Sequence, residues 1–424
     1  MSAILRAKIR IDCRLCGSTD LWTAIPLQPI PVASPNVGDR LEAITELAPA
    51  DVRQCTSCGH MQLAAVVDPE FQYRNFRYMT RISLGLREHF ERLLSELSAE
   101  REIVLGRLVV DIGSNDGSLL GIAKNYTDRI LGIDPAEEIA KLATENGIPT
   151  LAEFFNAELA DKIVQQYGRA DVVISNNTVA NIDDLDGFFV GIDRLLSDDG
   201  LLIIETQYGL DVLTRTLLDV IYHEHISYFV VRPFRDFLRR RGFDLVGAER
   251  IAPKGGSIRF KIQRAGGSRS VHPGVDELIK YEVDEGLYDR RLFGEFNQRI
   301  SEIGKQLRTH LANNRSASGT AIAYGASVGC AALIHYFELC EIIDVIFDDE
   351  PLIGVMRTAK GEIPIKPGQL LAEERASDVV VLAWRYANVI ARGQAHFREK
   401  GGRFMAVLPD LAWVDGSDLS GPSA

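Results

Sequence analysis

No run of apolar residues in this 424-residue chain approaches the ~18 that a membrane-spanning helix needs, so no membrane segment is expected. The basic opening, Met1 to Arg10, has neither an apolar core nor a small-residue cleavage site behind it, which leaves the cytoplasm as the expected compartment. Cysteine is scarce: six residues are too few for a disulfide scaffold at this length. Positive charge is in deficit, with 47 Lys and Arg against 59 Asp and Glu, and a net charge of −12 argues against nucleic acid as a partner. Arg239-Arg240-Arg241 reads as the solvated end of an amphipathic helix over Arg232 to Arg241. Internal repeats are missing, and low complexity is confined to the tail Gly416 to Ala424, which is expected to fray.

What is present is ordinary globular composition, 46% hydrophobic and 25% charged, at a length that predicts two or three domains. Residues 1–75 read as a small irregular module, with Pro26, Pro29, Pro31 and Pro35 interrupting short apolar runs. Residues 76–270 open with a helix over Ser83 to Arg101. Strands follow at Leu108 to Asp111, Ile130 to Asp134, Pro149 to Ala152, Asp171 to Ser175 and Leu201 to Glu205, and a hairpin of Phe243 to Ala248 with Ser257 to Gln263 ends the segment. Residues 271–424 begin with a long helix, Val275 to Asn314, broken near Gly286. Four more strands follow, at Thr320 to Tyr324, Ile343 to Phe347, Val379 to Ala383 and Phe404 to Leu408. Strands alternating with helices predict an α/β protein: a small N-terminal module, a central Rossmann-like domain with a mostly parallel sheet, and a smaller C-terminal α/β Rossmann-like domain.

Cys13-Arg-Leu-Cys16 and Cys55-Thr-Ser-Cys58 are two Cys-x-x-Cys knuckles, each followed by a glycine. Two such turns can present four thiolates to one tetrahedral Zn²⁺, which fills every coordination position and makes the ion structural. A redox dithiol or plain free thiols are the alternatives, but a redox motif belongs after a strand and at the head of a helix, not in Pro-rich surroundings. Cys330 and Cys340 lie apart in apolar stretches and read as packing residues.

Val109-Val-Asp-Ile-Gly-Ser-Asn-Asp-Gly117 runs from a strand into a glycine-containing acidic loop. Loops at the carboxyl end of the first parallel strand are where such folds bind nucleotides. A pyrophosphate would want Gly-x-Gly-x-x-Gly and would be repelled by Asp116. S-adenosylmethionine has no phosphate and carries a cationic sulfonium and ammonium. Asp111, Gly113, Asn115 and Gly117 are therefore candidate contacts, and Asp134, ending the second strand, is placed to accept both ribose hydroxyls. Asp134 equally suits a helix N-cap. Phe154 is a candidate to flank adenine, with Phe155 beside it and core packing as the alternative for both; Asn176 and Asn177 end the fourth strand at the same crevice.

Tyr222-His-Glu-His225, with Tyr228, gathers proton-transfer groups in one short region. Histidine is the natural general base near neutral pH, and a phenol can hydrogen-bond a developing oxyanion. A metal pair, with Glu205 and Gln207 the only nearby extra ligands, and a purely structural role are the alternatives; the spacing is not that of His-Glu-x-x-His.

The motif order resembles the nucleotide-sugar C-methyltransferases that act on dTDP-linked 4-keto deoxysugars. It runs through both Cys-x-x-Cys pairs, Asp111 to Gly117, Ser175-Asn-Asn177, Tyr222 to His225, Lys254-Gly-Gly-Ser-Ile-Arg259, Tyr324-Gly-Ala-Ser327 and Glu362-Ile-Pro-Ile-Lys366. The resemblance implies S-adenosylmethionine as donor, zinc as a structural ion and a small-molecule nucleotide-sugar substrate. It further implies that His225 removes the C-3 proton beside the keto group, while Tyr222, with Glu224 close by, supports the enolate. His223, Lys254, Arg259, Tyr324, Ser327 and Lys366 are the implied substrate contacts. Phe76 stands where the family often has tyrosine, Asn181 where histidine is common, and Val328-Gly-Cys330 where lysine and glycine are expected. O- or N-methylation of another sugar, or a zinc-stabilised binding protein without catalysis, are the alternatives those departures leave.

Overall fold

The computed structural model describes residues 7–32, 46–83, 85–349, 354–358, 360–375 and 377–417. The proline-rich stretch around Pro35 and the end of the tail fall outside the described residues. No described helix is long and apolar enough to cross a membrane.

The central sheet is built from β4 (Leu108–Ile112), β5 (Arg129–Ile133), β6 (Thr150–Leu151), β7 (Ala170–Asn176), β8 (Leu196–Gln207), β10 (Phe243–Ile251) and β11 (Ser257–Arg264). Their order is β6-β5-β4-β7-β8-β11-β10, parallel as far as β8, with β11 antiparallel to both its neighbours. All five residues of β4 are buried, as a strand covered on both faces requires. One cover is helix α1 (Leu86–Ala99), whose Leu86, Phe90, Leu93, Leu94 and Leu97 share a buried face. Each such side chain contributes roughly 1.5–3 kcal/mol on burial. Chain order reverses between β4 and β7, so the crevice at their carboxyl ends is where this topology leaves room for a ligand.

The C-terminal sheet repeats the plan with β12 (Ile322–Tyr324), β13 (Val345–Asp348), β14 (Val355–Thr358), β15 (Gly361–Pro367), β16 (Asp378–Val381), β17 (Arg403–Ala406) and β18 (Ala412–Val414). Their order is β14-β15-β13-β12-β16-β17-β18. Sequence patterning missed β14, β15 and β18: Pro364 and Pro367 mask β15, and β14 and β18 are short edges pairing antiparallel. Direction reverses here between β13 and β16, on either side of β12. The expected helix break falls at Gly286, whose φ of 77° separates Gly274–Asp284 from Arg290–Ser318.

The N-terminal module contributes β1 (Leu21–Ile25), β2 (Val52–Cys55) and β3 (Met61–Leu63), and its fourth strand comes from elsewhere. β9 (Ser227–Tyr228), directly after the histidine cluster, pairs antiparallel with β3 through Ser227 opposite Gln62 and Tyr228 opposite Met61. The arginine run is not simply solvated: Arg240 donates to the Leu15 carbonyl at 2.9 Å, inside the first knuckle, and Arg241 pairs with Asp186.

Candidate active site

A cavity of about 1640 Å³ lies where the two switch points face each other. From the central sheet it is lined by Asp111, Gly113, Asn115, Asp134, Phe154, Asn176, Asn177 and Gln207, and from the C-terminal sheet by Ser327, Asp348, Asp349 and Arg385. Tyr222, Glu224, His225 and Lys254 also line it.

At the β4 end, Gly113 takes φ +80°, and a side-chain carbon there would lie 1.9 Å from Thr178 Oγ1, so only glycine fits. Asp134 receives the Asn115 and Ala136 backbone N–H groups, at 2.8 and 2.9 Å, one on each oxygen. It does not cap the helix Glu137–Glu145, whose N-cap is Ala136, and it stays on the cavity wall. Burial, and then the Asp134 charge, push Asp111 up to about 8; burial also raises Asp134. Two buried carboxyls held above their usual range suit a cationic ligand. Both side-chain amide atoms of Asn176 and Oδ1 of Asn177 are buried with no protein partner, which gives polar ligand groups somewhere to bind. On these observations the crevice fits S-adenosylmethionine.

Of the loop residues, Asn115 lines the cavity with its side chain engaged by the protein, and Gly117 lies off the wall. The Asn115 side chain donates to Tyr78 O and accepts from Thr80 N, at 2.9 and 2.8 Å, fastening residues 78–80 across the loop. Gly117 is not on the cavity wall; it heads the helix Ser118–Ala123 at φ +76°, against Ile148. Phe154 lines the cavity with Arg74 4.8 Å from its ring centre, and Phe155 also packs edge-on against Phe188.

His225 is fully directed by its neighbours. Its Nδ1 lies 2.8 Å from Val220 O, which only accepts, so Nδ1 carries the hydrogen and Nε2 presents a lone pair. Around Nε2 stand Gln207 Nε2 at 3.2 Å and the Tyr222 hydroxyl at 3.4 Å. Burial lowers the His225 pKa to about 4 and holds the Tyr222 phenol well above its usual range, so at neutral pH the pair is a free base beside a hydrogen-bond donor. Glu224 is buried, and its backbone carbonyl accepts from Tyr73 at 3.2 Å. His223 turns away: its ring nitrogens approach Pro31 O and Pro49 O at 3.3 and 3.1 Å, so it docks the N-terminal module and does not reach the cavity. Tyr228 is buried in the β9 pairing with its hydroxyl unpartnered, off the cavity wall.

Of the implied substrate contacts, Lys254 and Ser327 reach the cavity. Lys254 adopts φ +61° in the turn between β10 and β11, with Nζ 5.4 Å from the Tyr78 ring centre. Ser327 caps the helix α2 (Val328–Tyr336), accepting from Cys330 N. Arg259 does not: it forms a buried ion pair with Glu205 at 2.5 Å beneath α1, where Glu205 also meets His89 at 2.7 Å. Tyr324 is buried with its hydroxyl on Asp349, and Lys366 pairs with Glu374 at 2.9 Å; neither lines the cavity. Strand alternation explains these outcomes, since neighbouring residues face opposite sides. Sequence reading gave Asp219 and Arg385 no role and considered Gln207 only as an extra ligand should the histidines hold a metal. The one signal for Gln207 was its place just beyond the end of the expected strand Leu201 to Glu205.

In the N-terminal module the four cysteine sulfurs lie within 4.8 Å of one another, with Cys13–Cys58 at 3.6 Å and Cys16–Cys55 at 3.5 Å. Sulfurs about 2.3 Å from a tetrahedral zinc stand roughly 3.8 Å apart, so the set fits that ion. Cys330 and Cys340 take no part.

Three family models match along the chain: "Putative zinc binding domain" over residues 13–73, "Methyltransferase domain" over 83–248 and "C-methyltransferase C-terminal domain" over 252–409. The C-methyltransferase NovU of Streptomyces niveus is 30% identical over 409 residues, spanning 94% of this chain and 96% of that protein. Among solved structures, magnesium protoporphyrin IX methyltransferase (ChlM) of Synechocystis PCC 6803 with bound SAH is 20% identical, covering 43% of this chain and 84% of that one at a TM-score of 0.33. The YcgJ protein of Bacillus subtilis is 13% identical, covering 42% and 100%, at a TM-score of 0.34.

Proposed function

The chain belongs to the C-methyltransferase family, and on that premise we propose that it methylates C-3 of a nucleotide-linked 4-keto deoxysugar from S-adenosylmethionine, with His225 as the base. The observation that carries this reading is that Val220 O holds the hydrogen on His225 Nδ1, leaving Nε2 as the basic nitrogen of a residue that lines the same cavity as Asp111 and Asp134.

S-adenosylmethionine, when bound, supplies an electrophilic methyl group and leaves as the neutral thioether. Asp111 and Asp134 would hold its cationic portion and its ribose, with Gly113 allowing close backbone approach and Phe154, Asn176 and Asn177 beside the adenine side. A keto group acidifies the neighbouring C–H. His225 Nε2 takes that proton, the electron pair moves into the enolate, and the Tyr222 hydroxyl hydrogen-bonds the developing oxygen charge. The Glu224 charge, from the same turn, helps keep the Tyr222 phenol protonated. The carbon then gains the methyl group as the enolate collapses to the ketone. Holding the carbon in line with the methyl supplies much of the acceleration, roughly 7–11 kcal/mol in favourable cases. Lys254 and the head of α2 with Ser327 offer a cation and backbone N–H groups to the phosphates of the nucleotide.

A panel of nucleotide-linked keto sugars incubated with protein and donor in deuterated water tests the reading. A product 14 mass units heavier than substrate, together with exchange of the sugar C–H that His225→Ala abolishes, is expected. Methylation without exchange would mean transfer to oxygen or nitrogen, and turnover by His225→Ala would remove His225 as base. No binding of S-adenosylmethionine by calorimetry would leave a non-catalytic, zinc-stabilised binding protein.

A further inference from the structure

The base proposed above keeps company with a residue that neither motif nor family comparison points to. Gln207 ends β8, two residues past the end of the expected strand, and it lines the cavity. Its Nε2 lies 3.2 Å from His225 Nε2, and its Oε1 lies 3.2 Å from Thr206 Oγ1, the fully buried residue before it. Because Val220 O fixes the hydrogen on Nδ1, His225 Nε2 is an acceptor and the Gln207 amide must donate to it. The Thr206 hydroxyl then donates to Gln207 Oε1. The hydrogen bonds run in one direction: Thr206 to Gln207 to His225, and His225 to Val220.

That direction suits only the neutral imidazole. Once Nε2 has taken a proton, a donor facing it is repelled, and an acceptor is needed. A carboxamide meets both needs by turning over, and a hydroxyl accepts as readily as it donates. We propose that Gln207 is a positioning residue that serves both protonation states of His225 by reversing its amide against Thr206. Substrate displaces the amide from the single Nε2 lone pair while the proton is taken; in the reversed state the resulting His225 Nε2–H donates to Gln207 Oε1, and Gln207 Nε2 donates to Thr206 Oγ1. No proton leaves the three residues other than the one His225 exchanges with substrate, and no buried polar atom is left unpaired in either state. The other groups facing the imidazole are Tyr222 and Glu224 from its own turn, Asp219 from the preceding one and Lys254 from the β10–β11 turn; Tyr73 abuts Glu224. None of these spans from Nε2 to a second reversible partner as Gln207 does.

This inference rests on His225 being the base only for its catalytic consequence; the hydrogen-bond chain itself is tested without turnover. Full-length protein labelled with ¹⁵N in histidine is titrated by NMR, with the His225 signals assigned from their loss in His225→Ala. In the unsubstituted protein the Nδ1–H tautomer is expected at pH 7. Gln207→Glu replaces the amide with a fixed acceptor and should raise the His225 midpoint by about 1–3 pH units. Gln207→Leu removes the partner of the charged state and should lower the midpoint, while the tautomer, held by Val220, is unchanged. A residue that merely fills space would not move the midpoint in opposite directions. Turnover of the keto sugar found with the panel should fall about tenfold or more in Gln207→Leu, and fall in Thr206→Val but recover in Thr206→Ser. Midpoints in both Gln207 variants equal to that of the unsubstituted protein, or Thr206→Val at full turnover, would overturn the inference. Should a Gln207 variant not fold, the Thr206 pair decides alone. Loss of the base reading shows separately, as turnover by His225→Ala.

Discussion

Arg385 and Asp219 meet face to face across the cavity, both guanidinium Nη atoms donating to the two oxygens of one carboxylate, Nη2 to Oδ1 at 3.1 Å. Asp219 precedes the histidine cluster in the central domain, and Arg385 follows β16 in the C-terminal one. The guanidinium also lies 4.4 Å above the Trp384 ring, and Gly255 leaves room for it, since a side-chain carbon at Gly255 would sit 2.7 Å from Arg385 Nε. Bidentate geometry and a flat stack are specific to arginine, so the pair sets how one sheet addresses the other.

Breaking this pair from one side leaves a charge in a mostly buried place, which costs roughly 3–5 kcal/mol when burial is complete. Arg385→Met should therefore destabilise the chain more than the double variant Asp219→Asn/Arg385→Met. Urea denaturation of the four members of the cycle measures the coupling, expected above about 1 kcal/mol. Additive effects would show that the two side chains do not depend on each other.

Burial puts the His225 pKa at about 4, below the ordinary histidine value of 6.5. A depressed histidine is neutral, and therefore a competent base, throughout the neutral range. The acidic limb of kcat/KM should accordingly lie well below pH 6.5, toward 4, and activity at pH 6 should match that at pH 7. The linked stability has the same sign: it is fully present above 6.5 and is lost as pH falls through the folded value. His223 and His335, also lowered by burial, add to that loss. A limb centred at 6.5 would mean the base sits in water.

Both seven-stranded sheets were partly legible in the sequence, because buried parallel strands read as short apolar runs between helices. All seven strands of the central sheet were anticipated, as was the hairpin that closes it, and the glycine at 286 did end its helix. What patterning lost were strands without an apolar signature, such as β15 with its two prolines, and the polar start of β8. At the site, residues fixed by backbone chemistry were readable: Gly113 at a positive φ, and the cysteines at their spacing. Residues whose role depends on which way a side chain faces were not. His223 and His225 are two apart, yet one grips Pro31 and Pro49 carbonyls and the other faces the cavity. Arg259 lies in a motif shared with Lys254 but points beneath α1, toward Glu205. Gln207 and Arg385 come together with their partners only through tertiary contacts that no local pattern encodes.

The Asp111 carboxyl, held up to about 8 by burial and the charge of Asp134, is largely protonated at pH 7 in the protein alone. A cation brought beside it favours the ionised form, so binding S-adenosylmethionine should release most of one proton at that pH. For an acid raised in this way the release declines once pH exceeds 8. Calorimetry in two buffers of different ionisation heat reads it directly. Asp111→Asn should abolish the release and weaken binding. Equal heats in both buffers would place the cation elsewhere.

Zinc should matter to turnover as well as to stability, although no cysteine lines the cavity. The knuckles organise a sheet whose outer strand is Ser227–Tyr228, joined to β3 two residues after His225, and Leu63 N adds a bond of 3.0 Å to Ile226 O. Arg14, inside the first knuckle, reaches the same carbonyl at 2.9 Å. Cys55 sits at the end of β2, next to β3 in that sheet, so losing its thiolate loosens the support of the histidine turn as well as the metal. Cys55→Ser should lower the zinc content measured by elemental analysis, reduce the melting temperature, and reduce kcat more than it weakens S-adenosylmethionine binding, because the Asp111–Asp134 crevice belongs to β4 and β5. A full zinc count in Cys55→Ser would reject the four-sulfur site. Loss of the metal with kcat unchanged would show that the histidine turn holds its shape without the module beside it.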